Sequence, residues 1–107
     1  MKVLLDECVT KHLKPHLTDL EVYTVSEMKW SGIKNGKLIS LCVENDFDVF
    51  LTIDKNLQFQ QALEKYPLVI VILNSFTSNL DELLTYLPSF RNQLGEFRKH
   101  NAYLINK

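Results

Sequence analysis

Cysteine is scarce in this chain. Cys8 and Cys42 are the only two, too few for a disulfide framework, and no Cys/His spacing resembles a zinc site. No apolar run approaches the ~18 residues of a membrane span, and no signal-peptide pattern appears, so a cytoplasmic chain with reduced thiols is expected. Charge of one sign is also missing. A net charge of −1 gives no global attraction to nucleic acid or anionic membrane, so any nucleic-acid binding must come from a local basic patch. Low-complexity segments, internal repeats and linkers are missing too, which predicts one domain over residues 1–107.

What the chain has is a series of short apolar runs that stop on polar residues. The first, Met1-Lys2-Val3-Leu4-Leu5, ends on Asp6 and Glu7. Such a run suits a strand buried on both faces of a parallel sheet, although a buried helical turn has the same pattern. Val9, Leu13 and Leu17 then recur at helical spacing and predict a short helix from Thr10 to Leu17, interrupted by Pro15. Lys11, His12, Lys14 and His16 fill its other positions, either as a basic cluster or as a solvated face. A second strand is expected over Glu21–Val25.

The loop from Ser26 to Gly36 carries the only tryptophan, Trp30, and two of the three glycines. Loops of this composition are favoured places for a site. Trp30 suits either stacking on a base or capping the edge of the core. Asn35 is read as the N-cap of a helix reaching Asn45. Val49-Phe50-Leu51-Thr52-Ile53 repeats the opening pattern and stops on Asp54, and Asn56 is read as the cap of a helix to Tyr66.

Leu68 to Leu73 reads as a central strand ending on Asn74 and Ser75. Ser78 to Asp81 has the form of a capping box, Pro88 restarts the helix that follows, and Gly95 ends it. Ala102–Ile105 fits a last strand, preceded by the basic residues Arg98, Lys99 and His100. Five strands separated by crossover-length connections predict a three-layer α/β/α sandwich with a mostly parallel five-stranded sheet.

With strand order 2-1-3-4-5, the first and third strands are neighbours at the topological switch point, and Asp6 and Asp54 face one crevice. Two close carboxylates repel unless a cation or proton lies between them. Mg²⁺ or Mn²⁺ is the natural counter-ion, and it supports phosphodiester hydrolysis. Either acid also suits capping of the helix after it. Cys8 is read as either a nucleophile or a small buried thiol.

Leu4-Leu5-Asp6-Glu7, Trp30-Ser31-Gly32 with a helix start soon after, and Thr52-Ile53-Asp54-Lys55-Asn56 after an apolar strand carry a family likeness. In their order and spacing they resemble the PIN-like family of small nucleases, similar to the VapC-type toxins of toxin–antitoxin pairs. The resemblance implies a PIN-like fold, Mg²⁺- or Mn²⁺-dependent endoribonuclease activity, RNA as substrate, an antitoxin protein partner and a homodimer, with no membrane partner. It makes Asp6 and Asp54 metal ligands, with Glu7 as a further catalytic acid. Asn35 stands where many relatives have an acid, Asn56 matches the second Asp of their Asp-x-Asp motif, and Asn74 lies near a later polar position with Ser75 beside it. Lys11, Trp30, Lys34, Lys37 and Lys55 are candidate nucleic-acid contacts, the lysines being equally readable as ordinary surface residues.

Amides add no negative charge, so this donor set holds a metal more weakly than four acids do. A catalytically impaired binding module of the same fold is therefore a competing expectation. A phospho-receiver domain is another, with Asp6, Glu7, Asp54, Ser75 and Lys107 in comparable places, although no proline follows Asp54.

Overall fold

The structure is a computed structural model that describes residues 1–57 and 65–107. Five short strands carry the fold: β1 (Lys2–Leu5), β2 (Glu21–Thr24), β3 (Val49–Thr52), β4 (Val69–Leu73) and β5 (Ala102–Ile105). They form one sheet in the order β2-β1-β3-β4-β5. Every pairing is parallel. The mostly parallel sheet expected from the crossovers is thus parallel throughout. The order reverses between β1 and β3, which sets the switch point there.

Alternation along the strands splits the core in two. Val3, Leu5, Val49, Leu51, Val69 and Val71 point into one buried cluster. Leu4, Phe50, Ile70 and Ile72 point into the other. Register aligns them into rows across the sheet, with Leu4 beside Phe50 and Phe50 beside Ile70. A sheet covered on both faces needs apolar residues at successive positions, which is why β3 and β4 read as continuous runs.

The first face is covered by a 3₁₀ helix (Lys11–His16), α2 (Leu80–Leu84) and α3 (Leu87–Gln93), through Leu13, Leu83, Leu87 and Phe90. On the second lies α1 (Asn35–Glu44), through Leu38, Ile39 and Cys42. This arrangement is compatible with a three-layer sandwich. The expected helix over Asn56–Tyr66 falls largely on residues 58–64, outside the described residues. Among the described residues, no helix is long and apolar enough to cross a membrane.

Helix ends depart from the sequence reading in three places. Lys34, not Asn35, is the N-cap of α1 and makes no side-chain capping bond. Asn79, not Ser78, caps α2, its side chain accepting from the Asp81 amide at 2.9 Å. Gly95 lies within a 3₁₀ turn (Leu94–Glu96) that continues α3. Pro88 lies in the first turn of α3 as expected. Pro15 leaves the first helical segment 3₁₀ in form, with Thr10 as its cap. The end of α1 is a Schellman motif: the Phe47 amide donates to the Cys42 carbonyl (2.9 Å) and the Asp46 amide to that of Val43 (3.2 Å). Asp46 takes the left-handed conformation, φ 61°, that this motif requires.

Arg91 ties α3 to the segment after the 3₁₀ helix. Its guanidinium donates to the Asp19 carboxylate at 2.6 Å and to the His16 carbonyl at 2.8 Å. That hydrogen bond holds the Asp19 carboxyl below its ordinary value of 3.8. A depressed carboxyl pKa adds stability that is present above 3.8 and is lost as the pH falls through the folded value. Asp19→Asn should therefore melt slightly below wild type at neutral pH, and the difference should close in melts taken below the folded-state pKa. Because the pair is exposed, the effect should be small and sensitive to salt.

Candidate functional site

Asp6 is the first residue beyond β1, and its amide extends the ladder by donating to the Leu51 carbonyl at 2.9 Å. Its side chain therefore stands at the carboxyl end of the sheet beside β3. Asp54 lies two residues beyond the end of β3. What joins the two is Thr52, the last residue of β3. Its fully buried hydroxyl donates to Asp6 Oδ2 at 2.8 Å and accepts from the Asp54 amide at 3.0 Å. A hydroxyl can donate once and accept twice, so one group aims the first carboxylate and fixes the turn that carries the second.

Other donors complete the setting. Asp6 Oδ1 accepts from the Glu7 amide at 2.8 Å, and the Cys8 thiol lies 3.4 Å from Asp6 Oδ2. Asp54 Oδ1 accepts from the Asn56 amide at 3.0 Å, and the Asn35 side chain donates to Asp54 Oδ2 at 3.5 Å. Helix α1 thus starts without a side-chain cap while the amide that could supply one points at Asp54. Glu7 turns away from this cluster, its Oε1 accepting from the Gly32 amide at 2.6 Å. Gly32 has φ +81°, a conformation that glycine adopts without strain. The contact ties the Trp30–Lys34 loop to the rim of the crevice.

Burial pushes the Cys8 thiol up, against lowering by hydrogen bonds with Thr52 and the Ile53 backbone, and the Asp6 charge and hydrogen bond add a smaller upward push. Burial first, and then the Asp6 charge, push Cys42 up to about 12. Both cysteines are free, and both are held as neutral thiols, which is unfavourable for a nucleophile.

The structure brings Asp6, Asp54 and Asn35 together and leaves other expected members apart. The Asn56 side chain is exposed, and only its backbone amide reaches Asp54. Asn74 donates instead to Asn106 at 2.8 Å. The buried Ser75 hydroxyl donates to the Thr77 carbonyl at 2.8 Å, and the Ser75 carbonyl accepts from Lys55. Lys107 is paired with Glu82 at 2.6 Å, not placed as a receiver lysine would be.

Trp30 packs edge-on against Phe47, centroids 6.0 Å apart, at the margin of the second core cluster. Lys34 and Lys37 are exposed at the start of α1. Lys11 shares a cavity of about 280 Å³ with Asp6, Glu7, Thr10, Ser26 and Ser31. A larger, mainly apolar hollow of about 730 Å³ lies between the 3₁₀ helix and β2. Asp6 lines only the smaller of the two and Asp54 lines neither, so the smaller cavity is the better candidate for chemistry through Asp6 alone.

The residues present can be tested against a divalent cation. Among the described residues, neither Asp6 nor Asp54 is ion-paired, and no three His, Cys, Asp or Glu side chains form a group able to hold a metal. Asp6, whose carboxylate accepts from the Thr52 hydroxyl, and Asp54, whose backbone amide donates to it, fit an ion that keeps several waters, the usual condition of Mg²⁺. They do not fit a dry cage of protein ligands. Asp6 and Asp54 are the groups that would hold it, with the Asn35 amide beside Asp54.

Thr52 escaped the sequence reading. Its one signal was a hydroxyl at the last position of a strand buried on both faces, where a polar group needs a partner. Thr52→Val should leave the Asp54 amide without its acceptor and lower the unfolding free energy by about 1–3 kcal/mol. Urea denaturation measures the loss. Thr52→Ser should recover most of it, and hydrogen exchange at the Asp54 amide should separate the two variants.

No family model matches the chain, and comparison with curated proteins and with solved structures likewise returned no match.

Proposed function

We propose that this chain is a PIN-like, Mg²⁺- or Mn²⁺-dependent endoribonuclease, acting in the cytoplasm as the toxin of a toxin–antitoxin pair. The observation that supports the reading is the Thr52 hydroxyl, which donates to the Asp6 carboxylate and accepts from the Asp54 backbone amide beside the strand-order reversal. The family, the antitoxin partner and a homodimer rest on the order and spacing of the motifs around those two acids.

Asp6 and Asp54 would hold the ion, and Asn35 would orient a water beside Asp54. The chemistry the ion supplies when bound is Lewis-acid stabilisation of a phosphodiester. Thr52 keeps the Asp6 carboxylate from rotating away. Glu7 holds the Trp30–Lys34 loop against the rim through the Gly32 amide, so its role is to position that loop. Lys11, within the same cavity, and Lys55, next to Asp54, supply local positive charge for phosphate contacts, with Lys34 and Lys37 at the start of α1.

A second reading is favoured by one observation: Asn35 and Asn56 are amides, and among the described residues no third acid joins the pair. A domain of this fold with that donor set would bind RNA or a protein partner without cleaving. Incubating pure protein with structured RNAs in Mg²⁺, in Mn²⁺ and in chelator separates the two. Cleavage that requires the metal supports the nuclease; intact RNA in all three leaves the binding module.

A further inference from the structure

Phe76 follows β4 at the carboxyl end of the sheet and is 96% exposed, far more than Met1 (51%) or Leu104 (41%), the other exposed large hydrophobic residues described. A phenyl ring left in water adds nothing to the core, so its position calls for an explanation in terms of what it meets.

The ring stands on a rigid base. The Ser75 hydroxyl donates to the Thr77 carbonyl at 2.8 Å and accepts from the Thr77 amide at 3.2 Å. The Asn79 amide donates to the Thr77 hydroxyl at 3.1 Å, and the hydroxyl of the buried Tyr86 donates to the Asn74 carbonyl. A cation is also in place. Lys55 donates to the Ser75 carbonyl, and its ammonium lies 4.3 Å from the centroid of the Phe76 ring. Lys55 is the residue after Asp54, so the ring and its cation sit on the turns beyond β3 and β4, beside the candidate crevice.

We propose that Phe76 is a stacking platform for one unpaired base of single-stranded RNA, with the Lys55 ammonium meeting the adjoining phosphate. The inference rests on the ribonuclease reading of the crevice and adds the two residues that would hold a base and its phosphate beside it. An exposed aromatic ring beside a cation is the recurring equipment for binding single strands, because every base offers a π-face. Lys55 uses one of its three donors on Ser75 and keeps two for phosphate. A protein-docking patch would need apolar neighbours around the ring. Phe76 is flanked instead by Asn74, Ser75, Thr77 and Ser78.

The test uses the full chain, chelator to prevent cleavage, and a single-stranded RNA carrying 2-aminopurine. Wild type should bind it and quench its fluorescence. Phe76→Ala should bind about 5- to 150-fold more weakly and lose the quench, whereas Phe76→Trp should keep both. The duplex of the same sequence should bind with no sensitivity to Phe76. Equal binding and quenching by Phe76→Ala, or no binding by wild type, overturns the platform. So does a loss confined to self-association in sedimentation, which makes the ring a protein contact. Parallel assays in Mn²⁺ separate the two readings. Cleavage abolished by Asp6→Asn but with KM unchanged in Phe76→Ala keeps the nuclease and removes the platform. Phe76-dependent binding without cleavage does the reverse.

Discussion

Asp6→Asn is expected to reduce Mn²⁺-dependent RNA cleavage by at least about 100-fold, since even residues that only support metal ligands are typically worth 10- to 100-fold. The substitution keeps the size of the side chain and removes its charge. In wild type the two oxygens accept from Thr52 and Glu7, with the Cys8 thiol also near. Asparagine offers one oxygen and one NH₂ to that ring of donors, so one contact is lost and the remaining carboxylate, Asp54, faces any cation alone. A second readout follows from the same charge. Asp6 contributes to the upward shift of Cys8, after burial, and to that of Cys42. Removing it should bring Cys8 alkylation to lower pH, which reports on the site whether or not RNA is cut. Wild-type cleavage by a folded Asp6→Asn protein would sink the nuclease assignment of this crevice.

The acid pair was legible because its signal is local. An apolar run that stops on a carboxylate marks both Asp6 and Asp54, and the crossover rule then brings β1 and β3 together. The central strands were legible for a related reason: a strand buried on both faces needs apolar residues at nearly every position, and Val49–Leu51 and Val69–Leu73 supply them. Contacts between distant residues have no such trace. The Thr52 hydroxyl reaches Asp6 across 46 positions and the Gly32 amide reaches Glu7 across 25, and nothing in the intervening sequence announces either.

Where local rules and long-range contacts compete, the local reading fails. Asn35 is a strong capping residue by type, yet its amide serves Asp54 and the cap position falls to Lys34. The shift from Ser78 to Asn79 has a similar cause, since both residue types cap well and the Thr77 turn decides which one is in position. Phe76 lies outside every periodic pattern in the sequence. A lone ring among polar residues was its one mark in the sequence, and exposure is a property only the fold can assign.

Phe50→Ala is expected to destabilise the protein by about 3–5 kcal/mol, the range for phenylalanine truncation in a close-packed core. Phe50 is fully buried at the centre of β3, flanked in register by Leu4 and Ile70. It faces the cluster that α1 completes with Leu38, Ile39 and Cys42. Backbone neighbours on both sides hold the strand in place, so the site cannot collapse freely and the cavity term is retained. Against the roughly 5–15 kcal/mol by which domains are stable, that loss is about a fifth of the total or more, and the melting temperature should fall by roughly 10–30 °C. Urea denaturation should show a lower midpoint at an unchanged slope. Leu104→Ala on the edge strand β5, where the side chain is 41% exposed, is the matched control and should stay within about 0.5 kcal/mol of wild type. If the two truncations cost the same, β3 is not buried on both faces. The strand whose end aims Thr52 at Asp6 would then lack the rigid support that holds the two carboxylates in place.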